Sequence, residues 1–209
     1  ILLATELGAQ WLLPYAQRFA LVQCSEFDPQ VDIPHVSIDN YAAARDVMSH
    51  LLSLHHTRIG HISSVNRYLS TALRLKGYRD GLEAAGIPLR EEYIRRAAAD
   101  YSFKSGFSAA RSLLSQERRP TALFCISDML ALGAIASARE MGFRVPEDVT
   151  VVGFDDVEHT TMFHPHVTTV SQPCVQLGRK AMDMLARHLK GAPCPREALM
   201  PHELMRRES

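Results

Sequence analysis

Arg74 stands near the start of a stretch of helical period that follows the apolar run RIGHIS at 58–63. Its guanidinium is a rigid fork of donors, able to hold two ligand oxygens or the edge of a base at once; otherwise it is an arginine on a surface helix. Asp155 comes directly after the β-branched run at 149–154. A carboxylate at a strand end can accept two hydrogen bonds from vicinal hydroxyls, as on a ribose, although Asp156 beside it also fits a plain turn. Tyr101, after the run at 93–97, offers a ring for stacking on a flat ligand, worth about 1–3 kcal/mol per base in nucleic-acid sites, or it packs in a partly buried position. Ser70 and Ser127 carry hydroxyls, but both stand where helices begin and fit N-caps, as does Asp128, for which capping is the preferred reading. Glu26 and Gln172 each follow a strand-length run, at 20–24 and 167–171.

These residues do not read as an enzyme. Asp155 and Asp156 are adjacent, and successive residues point apart, so they make a poor acid–base dyad. His159 is the one tempting base nearby, and no nucleophile is identifiable for it. The glycine patterns of nucleotide-phosphate loops and of a serine nucleophile elbow are missing, and no cofactor is expected. Cys24, Cys125, Cys174 and Cys194 form no CxxC and predict a reducing compartment, the cytoplasm. His55-His56 and His164-Pro165-His166 have no cysteine or carboxylate at zinc-finger spacing, so no metal site is expected.

Across 209 residues, 46% are apolar, enough for one large domain or two small ones. Lys+Arg and Asp+Glu are equal at 23 each, so the chain lacks the basic excess of a surface that grips DNA by itself. No apolar run reaches the roughly 18 residues that would suggest a membrane span, and the opening residues do not read as a signal peptide.

The elements that must position these side chains alternate. Strands are predicted over 1–4, 20–24, 35–38, 58–63, 93–97, 121–126, 149–154 and 167–171, with a last strand within 199–206. Helices are predicted over 6–17, 40–54, 70–85, 104–116, 129–141 and 175–190. Gly86, Gly142 and Gly191 sit just past three of these helices, as C-caps do. Continuous apolar strands alternating with helices predict parallel sheets with helices on both faces, an α/β fold.

Several segments together resemble the effector-binding domain of the LacI/GalR transcription repressors. They are VSIDN at 36–40 with HTRIG at 56–60, then RLKGY at 74–78 leading to GI at 86–87. RPTA at 119–122 with SDMLALGA at 127–134 comes next, followed by RVPEDV at 144–149 with VGFDD at 152–156 and by VTTV at 167–170 with QP at 172–173. Each is weak alone; five in this order over nearly the whole chain are specific. The finer pattern, including Ser25-Glu26-Phe27 and the segment at Arg74, is most similar to cytidine-responsive members.

The resemblance implies a periplasmic-binding-protein-like fold of type I, with two Rossmann-like parallel-sheet subdomains. The N-terminal one, 1–38 and 173–200, is expected to be truncated; the C-terminal one comprises 39–172 and 201–209. The family's helix-turn-helix and hinge are expected ahead of this sequence, so operator DNA would be contacted only through that part. A nucleoside or sugar effector would bind in the cleft between subdomains. Arg74 and Asp155 match effector-contacting positions, Tyr101 a position that often holds a covering aromatic, and Glu26 an acidic position at the pocket mouth, while Gln172 sits at a chain crossing. The resemblance further implies a homodimer through Met129, Leu132 and Phe163, residues that otherwise read as ordinary core. A periplasmic sugar-binding protein of a transport system shares the architecture and is the alternative.

Overall fold

The computed structural model describes residues 1–3 and 7–209. In chain order its elements are β1 (Leu2–Leu3), α1 (Ala9–Ala16), β2 (Gln23–Cys24), β3 (His35–Ile38), α2 (Asn40–Ser53), β4 (Ile59–Ser64) and α3 (Leu69–Ala84). They continue with β5 (Ile94–Ala97), α4 (Phe103–Leu114), β6 (Ala122–Cys125), α5 (Asp128–Glu140), β7 (Thr150–Asp155), β8 (Thr168–Ser171), α6 (Cys174–Leu189), β9 (Glu197–Met200) and β10 (Glu203–Met205). Two short 3₁₀ turns, Glu91–Tyr93 and Glu158–Thr161, complete the list. Gly86, Gly142 and Gly191 all have φ between 63° and 83°, the left-handed backbone that ends a helix without a Cβ clash.

The chain divides into two units, and neither is continuous. One comprises 1–39, 67–72 and 172–202, the other 40–66, 73–171 and 203–209. The segment 67–72, which the sequence places with the second unit, groups with the first. The first unit holds a four-stranded sheet in the order β1-β2-β3-β9, parallel throughout. Leu12, Val31 and Ile33 form a small core in this unit.

The second unit holds a six-stranded sheet in the order β10-β8-β7-β6-β4-β5. Five of these strands are parallel, and β10 pairs antiparallel with β8. Its core gathers Ile62, Leu113, Leu123, Ile126, Leu130, Val149 and Val151, all essentially inaccessible. Strand β4 also buries His61, whose Nδ1 lies 3.1 Å from the Phe124 carbonyl and whose ring stacks on Tyr78. Burial pushes this imidazole down to about 3, so it is neutral at physiological pH.

Helices α4 and α5 approach through glycine. A Cβ on Gly133 would lie 2.1 Å from the Phe103 carbonyl oxygen, and one on Gly106 would lie 2.4 Å from that of Leu130. Backbone meets backbone on both sides, which only hydrogen side chains permit.

Four expectations change. The strand over 20–24 shortens to Gln23–Cys24, and the helix over 6–17 to Ala9–Ala16, with the expected ends at Ala4 and Glu6 outside the described residues. Tyr93 belongs to a 3₁₀ turn rather than to the strand after it. The single strand expected within 199–206 is two strands, β9 in the first sheet and β10 in the second. Pro201, lacking an N–H, stands between them, where a ladder cannot be continued.

Candidate functional site

Strands β4 to β8 run parallel, so all five carboxyl ends lie along one edge of the second sheet. Numbered by their place in the chain, these five have the spatial order 2-1-3-4-5, and the winding reverses between β4 and β6. Ligands of open α/β sheets sit at the strand carboxyl ends beside such a reversal.

Arg74 is held at that reversal. It lies in α3, the helix after β4, and is only 7% exposed. Its Nη1 donates to the Ile126 carbonyl at 2.6 Å, one residue past β6, and its Nε donates to Asn40 Oδ1 at 2.9 Å. The guanidinium carbon lies 3.5 Å from the centroid of the Phe154 ring, at the end of β7. A planar cation laid on a ring face and tied at two nitrogens is fixed in direction before any ligand arrives. The reading of Arg74 as a surface arginine is therefore incorrect.

Tyr101 follows β5 and Asp155 ends β7, on the same sheet edge. The Tyr101 hydroxyl accepts from Asn66 Nδ2 at 2.5 Å, and Asn66 lies in the loop after β4. Tyr101, Asp155 and Asp156 have φ of 51°, 112° and 58°. Left-handed backbone at residues other than glycine costs on the order of 1–3 kcal/mol and clusters at ligand sites. Asp156 pairs with Arg207 Nη2 at 2.6 Å, an ion pair that commits its carboxylate to a structural partner.

Ser127 is the N-cap of α5, accepting from the Leu130 amide. Asp128 is not a cap, contrary to the preferred sequence reading. It is fully buried in the first turn of α5, where Oδ1 accepts from Thr169 Oγ1 at 2.6 Å and Oδ2 from the Val157 amide at 2.8 Å. Gly153 on β7 makes the room, since a Cβ there would sit 2.2 Å from Asp128 Oδ1. Asp128 thus ties β8 and the loop after β7 to the helix, steadying the segment that presents Asp155.

Burial pushes the Asp128 carboxyl up to about 7; the Thr169 and Val157 hydrogen bonds lower it, and the Asp155 and Asp156 charges add to the rise. The folded value is raised above the ordinary 3.8. Its contribution to stability is therefore complete below the unfolded value and is lost as pH climbs through the folded one. His61 works oppositely over part of that window, so a variant comparison isolates the effect. The stability advantage of the parent over Asp128→Asn, read from urea melts, is expected to be larger at pH 5 than at pH 8; equal advantages would refute the assignment.

In the first unit, Ser70 Oγ and the Ser70 amide both donate to the Glu26 carboxylate. Both side chains are buried, and the carboxylate serves the first turn of α3. Gln172 follows β8 and is half-buried, its carbonyl accepting from the Cys174 amide at 2.8 Å.

The apolar residues of α5 meet a loop. Met129, Leu132, Ile135, Ala136, Phe103 and Phe163 line one groove of about 270 Å³. Phe163 is 68% exposed there, whereas Ile135 is core. Residues that sequence reasoning missed are Asn40, Asn66 and Phe154, which orient Arg74 and Tyr101. Asn40 and Phe154 lie in the segments VSIDN and VGFDD that carry the family resemblance, which is the one signal the sequence offers for them.

A family model described as a periplasmic binding protein-like domain matches residues 48–209. The HTH-type transcriptional repressor CytR of Escherichia coli K12 is 39% identical over 171 residues, covering 82% of this chain and 50% of that protein. Catabolite control protein A of Priestia megaterium is 32% identical over 191 residues, covering 90% of this chain and 57% of that protein. The crystal structure of a regulatory protein of the LacI family from Chloroflexus aggregans superposes with a TM-score of 0.90 at 30% identity, over 99% of this chain and 74% of that one. The chain spans about half the length of the curated relatives it matches.

Fold and site together define a periplasmic-binding-protein-like α/β domain. The chain belongs to the LacI family of transcription regulators and covers their effector-binding domain. These relatives are transcription regulators, not enzymes, and they do not favour the transport-protein alternative. No helix among the described residues is long and apolar enough to cross a membrane.

Proposed function

We propose that this chain senses a small effector, a nucleoside such as cytidine, and thereby controls operator binding by a full-length cytoplasmic repressor. The observation that carries the reading is Arg74, laid on Phe154 and tied to the Ile126 carbonyl at the winding reversal. Tyr101 and Asp155 belong to the same sheet edge. Arg74 supplies donors for a base edge or for oxygens, Tyr101 a ring face, and Asp155 an acceptor for vicinal hydroxyls. A sugar would use the last two equally, and is the second reading. Glu26, Ser70, Ser127 and Gln172 complete the candidate contact set, with the effector in the cleft between the two subdomains as the resemblance implies.

Binding acts by differential affinity for two subdomain orientations. A homodimer formed through the groove of Met129, Leu132 and Phe163 would carry that change to DNA-binding segments preceding this sequence. Calorimetric titration of the intact protein with cytidine, adenosine, ribose and glucose tests the proposal. Saturable binding of a nucleoside, one per chain, with a shifted operator affinity, is expected. Binding by none of the four, or binding that leaves operator affinity untouched, would sink it. Sedimentation of the same sample should give twice the subunit mass.

A further inference from the structure

Between the Phe163 loop and residues 207–209 lies a cluster that makes no effector contact in the reading above, although its His164 also lines the groove of Met129, Leu132 and Phe163. His164 Nδ1 lies 2.8 Å from Glu208 Oε2, and His166 Nδ1 lies 3.7 Å from Glu208 Oε1. The two imidazole rings stack with centroids 4.4 Å apart and planes 20° from parallel. One ligand atom from each of the three residues falls within 4.8 Å of the others. We infer that His164, His166 and Glu208 form a site for one divalent transition-metal ion, best suited to Zn²⁺.

The donor set supports that class of ion. Two imidazole nitrogens and a carboxylate oxygen favour zinc, nickel or copper over magnesium or calcium, which prefer oxygen alone. Zinc bonds of about 2.0–2.2 Å to such donors place ligand atoms about 3.3 Å apart in a tetrahedron. To reach that figure the 2.8 Å contact between His164 and Glu208 must open and the 3.7 Å contact between His166 and Glu208 must close, by rotations of side chains that are partly exposed.

The backbone holds the ligands together without a metal. The His166 amide donates to Glu208 Oε2 at 3.0 Å, and the His166 carbonyl accepts from the amides of Glu208 and Ser209, each at 3.1 Å. Arg139 Nη2 donates to the His164 carbonyl at 2.6 Å. On either side of Glu208, Arg207 is tied to Thr160, Val167 and Asp156, and the buried Ser209 is tied to Val151 and Thr168. Such anchoring removes much of the ordering cost that a metal would otherwise meet. A single His–Glu ion pair accounts for one of these contacts; it does not account for a second imidazole nitrogen 3.7 Å from the other carboxylate oxygen. The sequence hid this arrangement because Glu208 is 42 residues beyond His166.

The intact protein, stripped with EDTA, is titrated with ZnCl₂ at pH 7.5 beside His166→Ala and Glu208→Gln. The parent is expected to bind one more equivalent than either variant, or to bind that equivalent at least tenfold more tightly. Circular dichroism checks that the variants fold. X-ray absorption of the zinc-loaded parent provides a readout independent of them, with a shell of two imidazole nitrogens and oxygen expected. Equal uptake by parent and variants, no uptake by the parent, or a shell without two imidazoles would each overturn the inference.

Discussion

Arg74→Lys is expected to leave a folded protein whose affinity for its effector falls at least tenfold, a loss of about 1.4 kcal/mol or more. An ammonium is a point charge on a flexible stem. It can satisfy either Asn40 Oδ1 or the Ile126 carbonyl, but not both in the plane that Phe154 sets. Losing one of these two buried hydrogen bonds costs roughly 1–3 kcal/mol of stability. Calorimetry with the effector and urea melts separate the two losses. Arg74→Ala is expected to lose more stability than the lysine variant, because it removes both buried hydrogen bonds and the cation laid on the Phe154 ring. Should Arg74→Lys bind effector as the parent does, Arg74 is a strut joining α3 to β6 and no ligand contact. The reading of the sheet edge would then have to rest on Tyr101 and Asp155.

Gly133→Ala is expected to cost about 3 kcal/mol or more, from the addition of a single methyl group. The new carbon would sit 2.1 Å from the Phe103 carbonyl oxygen and 2.7 Å from the Phe107 amide nitrogen. Both are helix backbone and cannot rotate aside, so α4 and α5 must separate and open the packing of Leu113, Leu130 and Ala134. Gly178→Ala is the matched control. It is also helical but has nothing within 4 Å of the added carbon, and it is expected to stabilise by about 0.5–1 kcal/mol through helix propensity alone. Chemical denaturation of both variants gives the comparison, and a Gly133→Ala cost below 1 kcal/mol would mean that the two helices part easily.

What could be read from the chain was local. Strand–helix alternation, the glycine caps at 86, 142 and 191, and the class of the fold follow from periodicity and turn chemistry within a few residues. Arg74, Tyr101 and Asp155 could be singled out because each follows a strand-like run. Their orienting partners could not: Asn40 lies 34 residues before Arg74, and Asn66 lies 35 before Tyr101. Asp128 shows the same limit from the other side. Beside a serine at a helix start it reads as a cap, yet the burial that draws it inward comes from Thr169, 41 residues later, and from the absence of a side chain at Gly153. The division of the last strand between two sheets likewise depends on which edges remain open, and no local pattern records that.

Strand β3 pairs with β9, joining residues 35–38 to residues 197–200. A ribosome making this polypeptide would therefore release β1, β2 and β3 early and leave one side of β3 bare until some 160 further residues had emerged. Meanwhile strands β4 to β8, all drawn from the intervening stretch, could already be assembling their own sheet. The unfinished first sheet is thus the moment of greatest exposure to wrongful pairing with a neighbouring nascent chain, and a premature stop before residue 197 would leave that hazard permanent.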